Sequence, residues 1–182
     1  SQITNRKIQL IFPDVEITSI NKVNEKLGDP EQIYVSSYLK VVGDLKGTAI
    51  LTFPRDKALD LIKLASHKEE KPKKIDEMGK STIREIANIF TGSYLNAMAD
   101  FLDLKIFPSI PHLSVDMLGA VIDSALSEIS DYSTNILLIR AKITIKHEKI
   151  KGTFILLFNN ESYDKILKII QNISKKKKKK NK

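Results

Sequence analysis

The chain has 182 residues, 42% of them hydrophobic and 29% charged, and this size and composition predict one globular domain with its own core. The absence of cysteine excludes disulfides, thiolate metal sites and thiol nucleophiles, and the absence of a membrane-length apolar run and of an export signal predicts a cytoplasmic protein. The formal charge of +8 arises largely from seven lysines among residues 175–182; without them 23 basic residues face 22 acidic ones, a balance that does not indicate specific nucleic-acid binding.

The first half of the chain carries two strand-like runs followed by a helical pattern. Residues 34–42 and 48–53 are rich in the β-branched and aromatic side chains that fit a pleated surface, and Gly43-Asp44 marks a turn between them. Apolar residues at helical spacing follow over 58–64. Because the connection between the runs is short, we expect an antiparallel hairpin that leads into a helix.

The middle of the chain combines a charged segment with two helical patterns. Residues 67–79 are charged and contain a proline, so we interpret them as a linker between two halves, 1–66 and 80–174. One helix is predicted over 81–102. A second is predicted over about 115–129, with Ser114 as its N-cap.

The second half repeats this order of elements and ends in a tail. Residues 136–145 and 153–158 form two further strand-like runs, separated by the polar segment 147–149, and an apolar helical pattern follows. The lysine-rich residues 175–182 are predicted to be a disordered tail, because a block of like charge with few apolar side chains cannot form a packed core.

The two halves also share sequence at nearly constant spacing. Residues 46–53, KGTAILTF, recur 105 positions later as KGTFILLF. Residues 7–13 share their Lys-Ile pair and their proline with residues 105–111, 98 positions later. We therefore predict an α+β fold that consists of a duplicated, pseudo-twofold unit, with helices packed on an antiparallel sheet.

Four residues of the helix predicted over 81–102 share a narrow stripe. With about 100° of rotation per residue, Ser81, Glu85, Asn88 and Gly92 lie within about 60° of one another. An acid and an amide at positions i and i+3 have Cβ atoms about 5–6 Å apart and can contact one partner together. Spacing alone does not distinguish this pair from an ordinary solvated helix face. Gly92 could admit another backbone or help the helix to pack.

The opposite face of the same helix is apolar. We predict that it is buried, and its members are Ile83, Ile86, Phe90, Tyr94, Ala97 and Phe101.

The order and spacing of the stripe residues resemble the signature of the CheC, CheX and FliY chemotaxis phosphatases. That signature is Asp or Ser, three residues, Glu, two residues, Asn, twenty-two residues and Pro, and it is matched by Ser81, Glu85, Asn88 and Pro111. Because agreement at every specified position spans a long segment, the resemblance is fairly specific.

Three further details bear on this resemblance. Residues 88–92, Asn-Ile-Phe-Thr-Gly, resemble the Asn-Ile-x-x-Gly continuation of the family, whereas Ala87 replaces the glycine often found before the asparagine. Residues 117–123 resemble the corresponding helix of CheC, which favours CheC over CheX. FliY is disfavoured because it adds a rotor-type domain.

The resemblance implies a fold and an activity. The fold is a sheet of about six antiparallel strands with two long helices and shorter ones, related by pseudo-twofold symmetry. The activity is hydrolysis of the aspartyl-phosphate of a phosphorylated CheY-type response regulator, with Asn88 directed at the phosphoryl group and Glu85 paired with the regulator's active-site lysine. Ser81 and Gly92 are expected to contact the partner. Pro111 is expected to shape the backbone after the helix.

The resemblance implies no cofactor of the protein's own, because the regulator holds the Mg²⁺ ion. It implies CheD as a further partner. The histidines His67, His112 and His147 share no ligand spacing, so no metal site is predicted. CheC-like proteins often carry a second Glu-Asn helix in the first half, and the spacing of 98 places it before Ser1, so that residues 1–7 would form its end.

Two other classes of function remain open from the sequence. A non-catalytic chemotaxis adaptor would bind CheD or a component of the flagellar switch, although the intact Glu85 and Asn88 argue against a purely structural role. A binder of nucleic acid or of other acidic surfaces would depend on residues 175–182 alone, and its binding should collapse with added salt.

Overall fold

The computed structural model of the chain describes residues 8–10, 14–67, 69–127, 135–145 and 150–180. In chain order its elements are β1 Ile8–Leu10, β2 Asp14–Ser19, α1 Val23–Leu27, β3 Ile33–Gly43, β4 Gly47–Pro54, α2 Arg55–Ala65, α3 Glu77–Leu102, β5 Ile106–Pro108, β6 His112–Met117, α4 Leu118–Ser127, β7 Asn135–Ile145, β8 Ile150–Phe158 and α5 Asn160–Lys180. None of the helices in these ranges has the length and apolar character needed to cross a membrane.

The strands form one antiparallel sheet that is six strands wide. β7, β8, β4 and β3 occupy the four central positions in that order. At one edge β1 and β2 pair end to end with β7, and at the other edge β5 and β6 pair end to end with β3. The predicted α+β class and the antiparallel sheet of about six strands are therefore confirmed.

A pseudo-twofold axis passes between Ile50 of β4 and Ile155 of β8. These residues are 105 positions apart, like the repeated segments, and they lie opposite each other in the β4–β8 ladder. The edge strands obey a similar relation, since β5 and β6 begin 98 positions after β1 and β2. Residues 46–64 and 151–169 each form a strand that leads into a helix, so the predicted duplication is confirmed.

Helices cover both faces of the sheet. On one face α2, α3 and α5 pack on the larger apolar cluster, which includes Leu51 and Phe154. On the other face α1 and α4 pack on a smaller cluster around Ile50 and Ile155. Successive residues of a strand point to opposite faces, and both faces are covered, so the two innermost strands, β4 and β8, are buried at most of their positions and do not alternate between apolar and polar residues.

α3 begins earlier than the sequence pattern predicts. The Asp76 carboxylate accepts a hydrogen bond of 2.8 Å from the Gly79 N–H and caps the helix, which therefore starts at Glu77. Residues 77–79 of the predicted linker 67–79 therefore belong to the helix. Part of the remaining linker makes ion pairs with α2.

The helix predicted over 115–129 begins later than expected. Residues 112–117 form β6, which pairs with β3, so Ser114 is a strand residue and not an N-cap. α4 starts at Leu118, whose N–H donates to the Gln32 carbonyl. The position of Val115 is compatible with the periodicity of a helix and with that of a strand. Its pairing with β3 makes it part of the strand.

The lysine-rich tail also differs from its prediction. α5 continues to Lys180, so residues 175–180 are helical rather than disordered. Lysine is a good helix former, and cations near a helix C-terminus interact favourably with the helix dipole, so a helix anchored by apolar residues continues through the lysines. Residues 181–182, the polar turn predicted at 147–149 and the helix end expected at residues 1–7 lie outside the described residues.

Candidate functional site

The candidate site lies on α3, which packs firmly on the sheet. Phe90 and Tyr94 contact Phe154 of β8, with ring centroids 5.2 and 4.8 Å apart. Burial in this contact raises the pKa of the Tyr94 hydroxyl. Near the start of the helix, Ile62 of α2 fills the space that a side chain at Gly79 would need. These contacts fix the rotation of α3 about its axis and hence the direction of its outer stripe.

Ser81, Glu85 and Asn88 are exposed on that outer stripe. None of the three side chains makes a hydrogen bond or an ion pair with another residue in the described part of the chain. Helical geometry places the Glu85 Cβ about 5–6 Å from the Cβ atoms of both Ser81 and Asn88. The structure therefore brings an acid, an amide and a hydroxyl together at the surface, where they can contact one partner.

Gly92 lies on the same stripe, one turn after Asn88. A Cβ atom built on Gly92 would meet no atom within 4 Å beyond the backbone of its own helix. The glycine therefore serves no packing contact among the described residues, although it destabilises a helix interior by about 1 kcal/mol relative to alanine. It leaves open space directly beside the acid and the amide.

The buried face of α3 matches its prediction only in the first part of the helix. The residues predicted correctly, which are buried or half-buried, are Ile83, Ile86, Phe90 and Tyr94. Ala97 and Phe101 are exposed, contrary to the prediction, and Thr91 and Leu95 are buried instead. A helical wheel assumes one contact face, whereas a helix of 26 residues on a twisted sheet meets different neighbours along its length.

One exposed apolar residue beside the stripe was not predicted from the sequence. Ile89 follows Asn88 directly, and 43% of its surface is exposed. On the helical wheel it lies about 80° from Ser81, well away from the apolar face. This angular position, outside the apolar face, was the feature of the sequence from which the exposure of Ile89 could have been predicted.

Pro111 belongs to the connection between β5 and β6. At this connection the Ser109 N–H donates to the Lys40 carbonyl and the Lys40 N–H donates to the Ser109 Oγ, both at 2.9 Å. Proline has no N–H to pair, so it suits a point where the chain leaves one ladder and enters the next. This position fits the backbone role expected for Pro111.

The histidines contribute no cluster to this site. His67 is exposed, and His112 stacks on Tyr38 with ring centroids 5.5 Å apart. His147 lies outside the described residues. Within the described ranges, no group of three or more histidine and acidic side chains could hold a metal ion.

Comparison with known proteins relates this helix to one family. Residues 78–115, which contain the whole segment from Ser81 to Pro111, match the model of the CheC-like family. The chain is 29% identical over 171 residues to a Bacillus subtilis (strain 168) protein named CheY-P phosphatase CheC, and the alignment covers 91% of this chain and 82% of that protein.

Solved structures share the fold. FliY of Thermotoga maritima superimposes with a TM-score of 0.71 and 16% identity over 94% of this chain and 85% of that one. CheX of Borrelia burgdorferi, solved as a complex with CheY, BeF3 and Mg²⁺, gives a TM-score of 0.50 and 16% identity over 85% of this chain and 86% of that one.

Proposed function

From the similarity to the CheC-like family over residues 78–115 and to CheC over most of the chain, we propose that this chain is a cytoplasmic phosphatase that hydrolyses the aspartyl-phosphate of a CheY-type response regulator. Its Bacillus relative is named a CheY-P phosphatase, and a protein of similar fold has been solved together with CheY. The observation that carries the proposal is the exposed pair of Glu85 and Asn88, one turn apart on a helix whose inner face is held by the core.

Asn88 positions the attacking water. Its amide offers both a hydrogen-bond donor and an acceptor and does not titrate, so it can orient a water molecule at any physiological pH. The water oxygen attacks phosphorus, the bond from phosphorus to the aspartate oxygen breaks, and inorganic phosphate and a free carboxylate result. Because the regulator supplies the reactive acyl phosphate, the phosphatase contributes mainly by holding the water in line.

Glu85 holds the regulator in register with Asn88. A carboxylate one turn before the amide forms a charge-assisted hydrogen bond with the regulator's active-site lysine. Ser81 contacts the rim of the regulator, and the open space at Gly92 admits a close approach. The Mg²⁺ ion of this scheme belongs to the regulator, and the phosphatase needs no cofactor of its own.

The direct test is the rate of phosphate loss from a purified, phosphorylated CheY-type regulator. The chain should accelerate this loss, and Asn88→Ala should reduce the acceleration about a hundredfold, on the order of 3 kcal/mol of transition-state stabilisation, while binding persists. Asn96→Ala is the matched control, because Asn96 is an exposed asparagine two turns later on α3. The control should keep its rate within about twofold.

Two results would contradict the proposal. An Asn88→Ala protein with full activity would refute the mechanism. A chain that binds the regulator without accelerating phosphate loss would favour the adaptor function, and binding to CheD would then be the measurement to make.

A further inference from the structure

Ile89 is an exposed apolar residue next to the candidate site. It lies one residue after Asn88 and four after Glu85, and 43% of its surface is exposed. Of the described residues of α3, the other strongly exposed large apolar side chains are Met78 and Phe101, and neither is within one turn of Asn88. On the helical wheel Ile89 is about 40° from Glu85, so the two side chains share one flank of the stripe.

Gly92 lies three residues after Ile89, so the two positions are neighbours on the helix surface. Both are poor local choices for an exposed helix position, since glycine disfavours a helix interior and β-branched isoleucine ranks below the straight-chain residues. Neither choice is compensated by close packing within the described fold, because a Cβ at Gly92 would meet open space and Ile89 leaves 43% of its surface exposed. Uncompensated local costs are typical of functional surfaces.

We infer that Ile89 and the open space over Gly92 form an apolar seat that receives a hydrophobic side chain of the response regulator. The inference rests on the proposed function, because a regulator that brings its phosphoryl group to Asn88 must also cover the adjoining residues. Covering them removes Ile89 from water at the centre of the contact, where apolar residues contribute most to affinity.

The seat acts on binding and not on chemistry. Its contact is the same before and during phosphate transfer to water, so it lowers the free energy of the bound complex and of the transition state equally. Loss of the contact should therefore raise KM and leave kcat within about twofold.

The experiment compares three variants in binding to the beryllofluoride-activated regulator and in steady-state dephosphorylation. Ile89→Ala should raise Kd and KM about tenfold, or about 1.4 kcal/mol. Ile89→Val keeps the β-branched shape, so its Kd should stay within about threefold of the wild-type value. Phe101→Ala is the matched control, because Phe101 is 64% exposed on the same helix. It points about 120° away from Ile89, and its replacement should leave Kd within about twofold.

Each outcome decides the inference. If Kd and KM are unchanged for Ile89→Ala, the inference of an apolar seat is wrong. If Asn88→Ala is inactive in the same assay, the proposed function still stands. An equal effect of Phe101→Ala and Ile89→Ala also overturns the seat, since the apolar contact would then not be local to the site. A wild-type chain that neither binds the regulator nor speeds phosphate loss overturns the proposed function and the seat together. Because Ile89 is exposed, its replacement should leave the melting temperature nearly unchanged. The melting temperature of each variant therefore shows whether a loss of binding is caused by a loss of folding.

Discussion

In the proposed mechanism, Glu85 and Asn88 differ in the stage at which each contact forms. On that proposal, the amide would act on a water molecule that is held in line only as phosphorus is attacked, whereas the carboxylate would pair with a lysine that is present from first encounter to release. The first contribution is specific to the transition state, and the second is shared by the bound complex and the transition state. Kinetics can therefore separate two side chains that are neighbours on one helix.

Replacement of Glu85 should appear mainly as lost affinity. We expect Glu85→Ala to raise the Kd for the phosphorylated regulator at least about tenfold, and to lower the rate at subsaturating regulator in proportion. A titration of rate against regulator concentration measures both effects. Asp100→Asn, which removes another exposed carboxylate of α3, is the control for net charge. An unchanged Kd together with a lower kcat would mean that Glu85 takes part in the chemistry.

At the scale of elements, α3 depends on its N-cap for the order of its first turn. The Asp76 carboxylate satisfies the Gly79 N–H just before the stripe begins at Ser81. Asp76→Ala should lower the free energy of unfolding by about 1 kcal/mol, because the N–H would lose its acceptor. In a chain of this length that corresponds to a melting temperature lower by about 2–4 °C. Asp76→Asn, which retains a capping oxygen, should lose much less in the same thermal scan.

The lysine-rich end of α5 should contribute little to stability. The helix is attached to the core through Tyr163, Ile166 and Ile169, all of which precede the lysines. Favourable interaction of the lysines with the helix dipole is worth about 0.3–1 kcal/mol and is opposed by their mutual repulsion. Deletion of 175–182 should therefore leave the melting temperature and the proposed phosphatase activity nearly unchanged. A loss of several degrees would show that this segment is docked on the body of the protein.

At the scale of the whole molecule, the duplication is preserved where the two halves meet. Gly47 and Gly152 are equivalent positions, 105 residues apart. A Cβ on Gly47 would clash with a ring carbon of Phe158, and a Cβ on Gly152 would clash with a ring carbon of Phe53. Each glycine thus makes room for the equivalent phenylalanine of the other half.

Alanine at either of these glycines should destabilise the fold. We expect Gly47→Ala and Gly152→Ala each to lower the free energy of unfolding by about 1–3 kcal/mol, because the added methyl group would overpack the centre of the sheet. Gly92→Ala is the opposite case, since its methyl group would enter open space, and it should raise stability by up to about 1 kcal/mol. Urea denaturation of the three variants measures the difference. Equal effects at all three positions would contradict the packing described here.

Much of this architecture could be predicted from local sequence. The hairpins β3–β4 and β7–β8 follow from β-branched runs with short connections between them, and the repeat of KGTAILTF as KGTFILLF revealed the duplication. The outer stripe of α3 followed from the helical period alone, since residues three and four apart must share a face. These features depend on chemistry within a few residues of one another.

Tertiary structure decided what local chemistry leaves undetermined. Residues 115–117 became a strand because β3 offers its unpaired edge to them. Thr91 and Leu95 are buried in place of Ala97 and Phe101 because the neighbours of α3 change along its length. A helical period specifies which side chains lie together, whereas the position of the surrounding elements specifies which of those groups is covered. The sequence by itself therefore determined the repeat, the hairpins and the grouping of Ser81, Glu85 and Asn88, and packing against the sheet determined that this group faces outward.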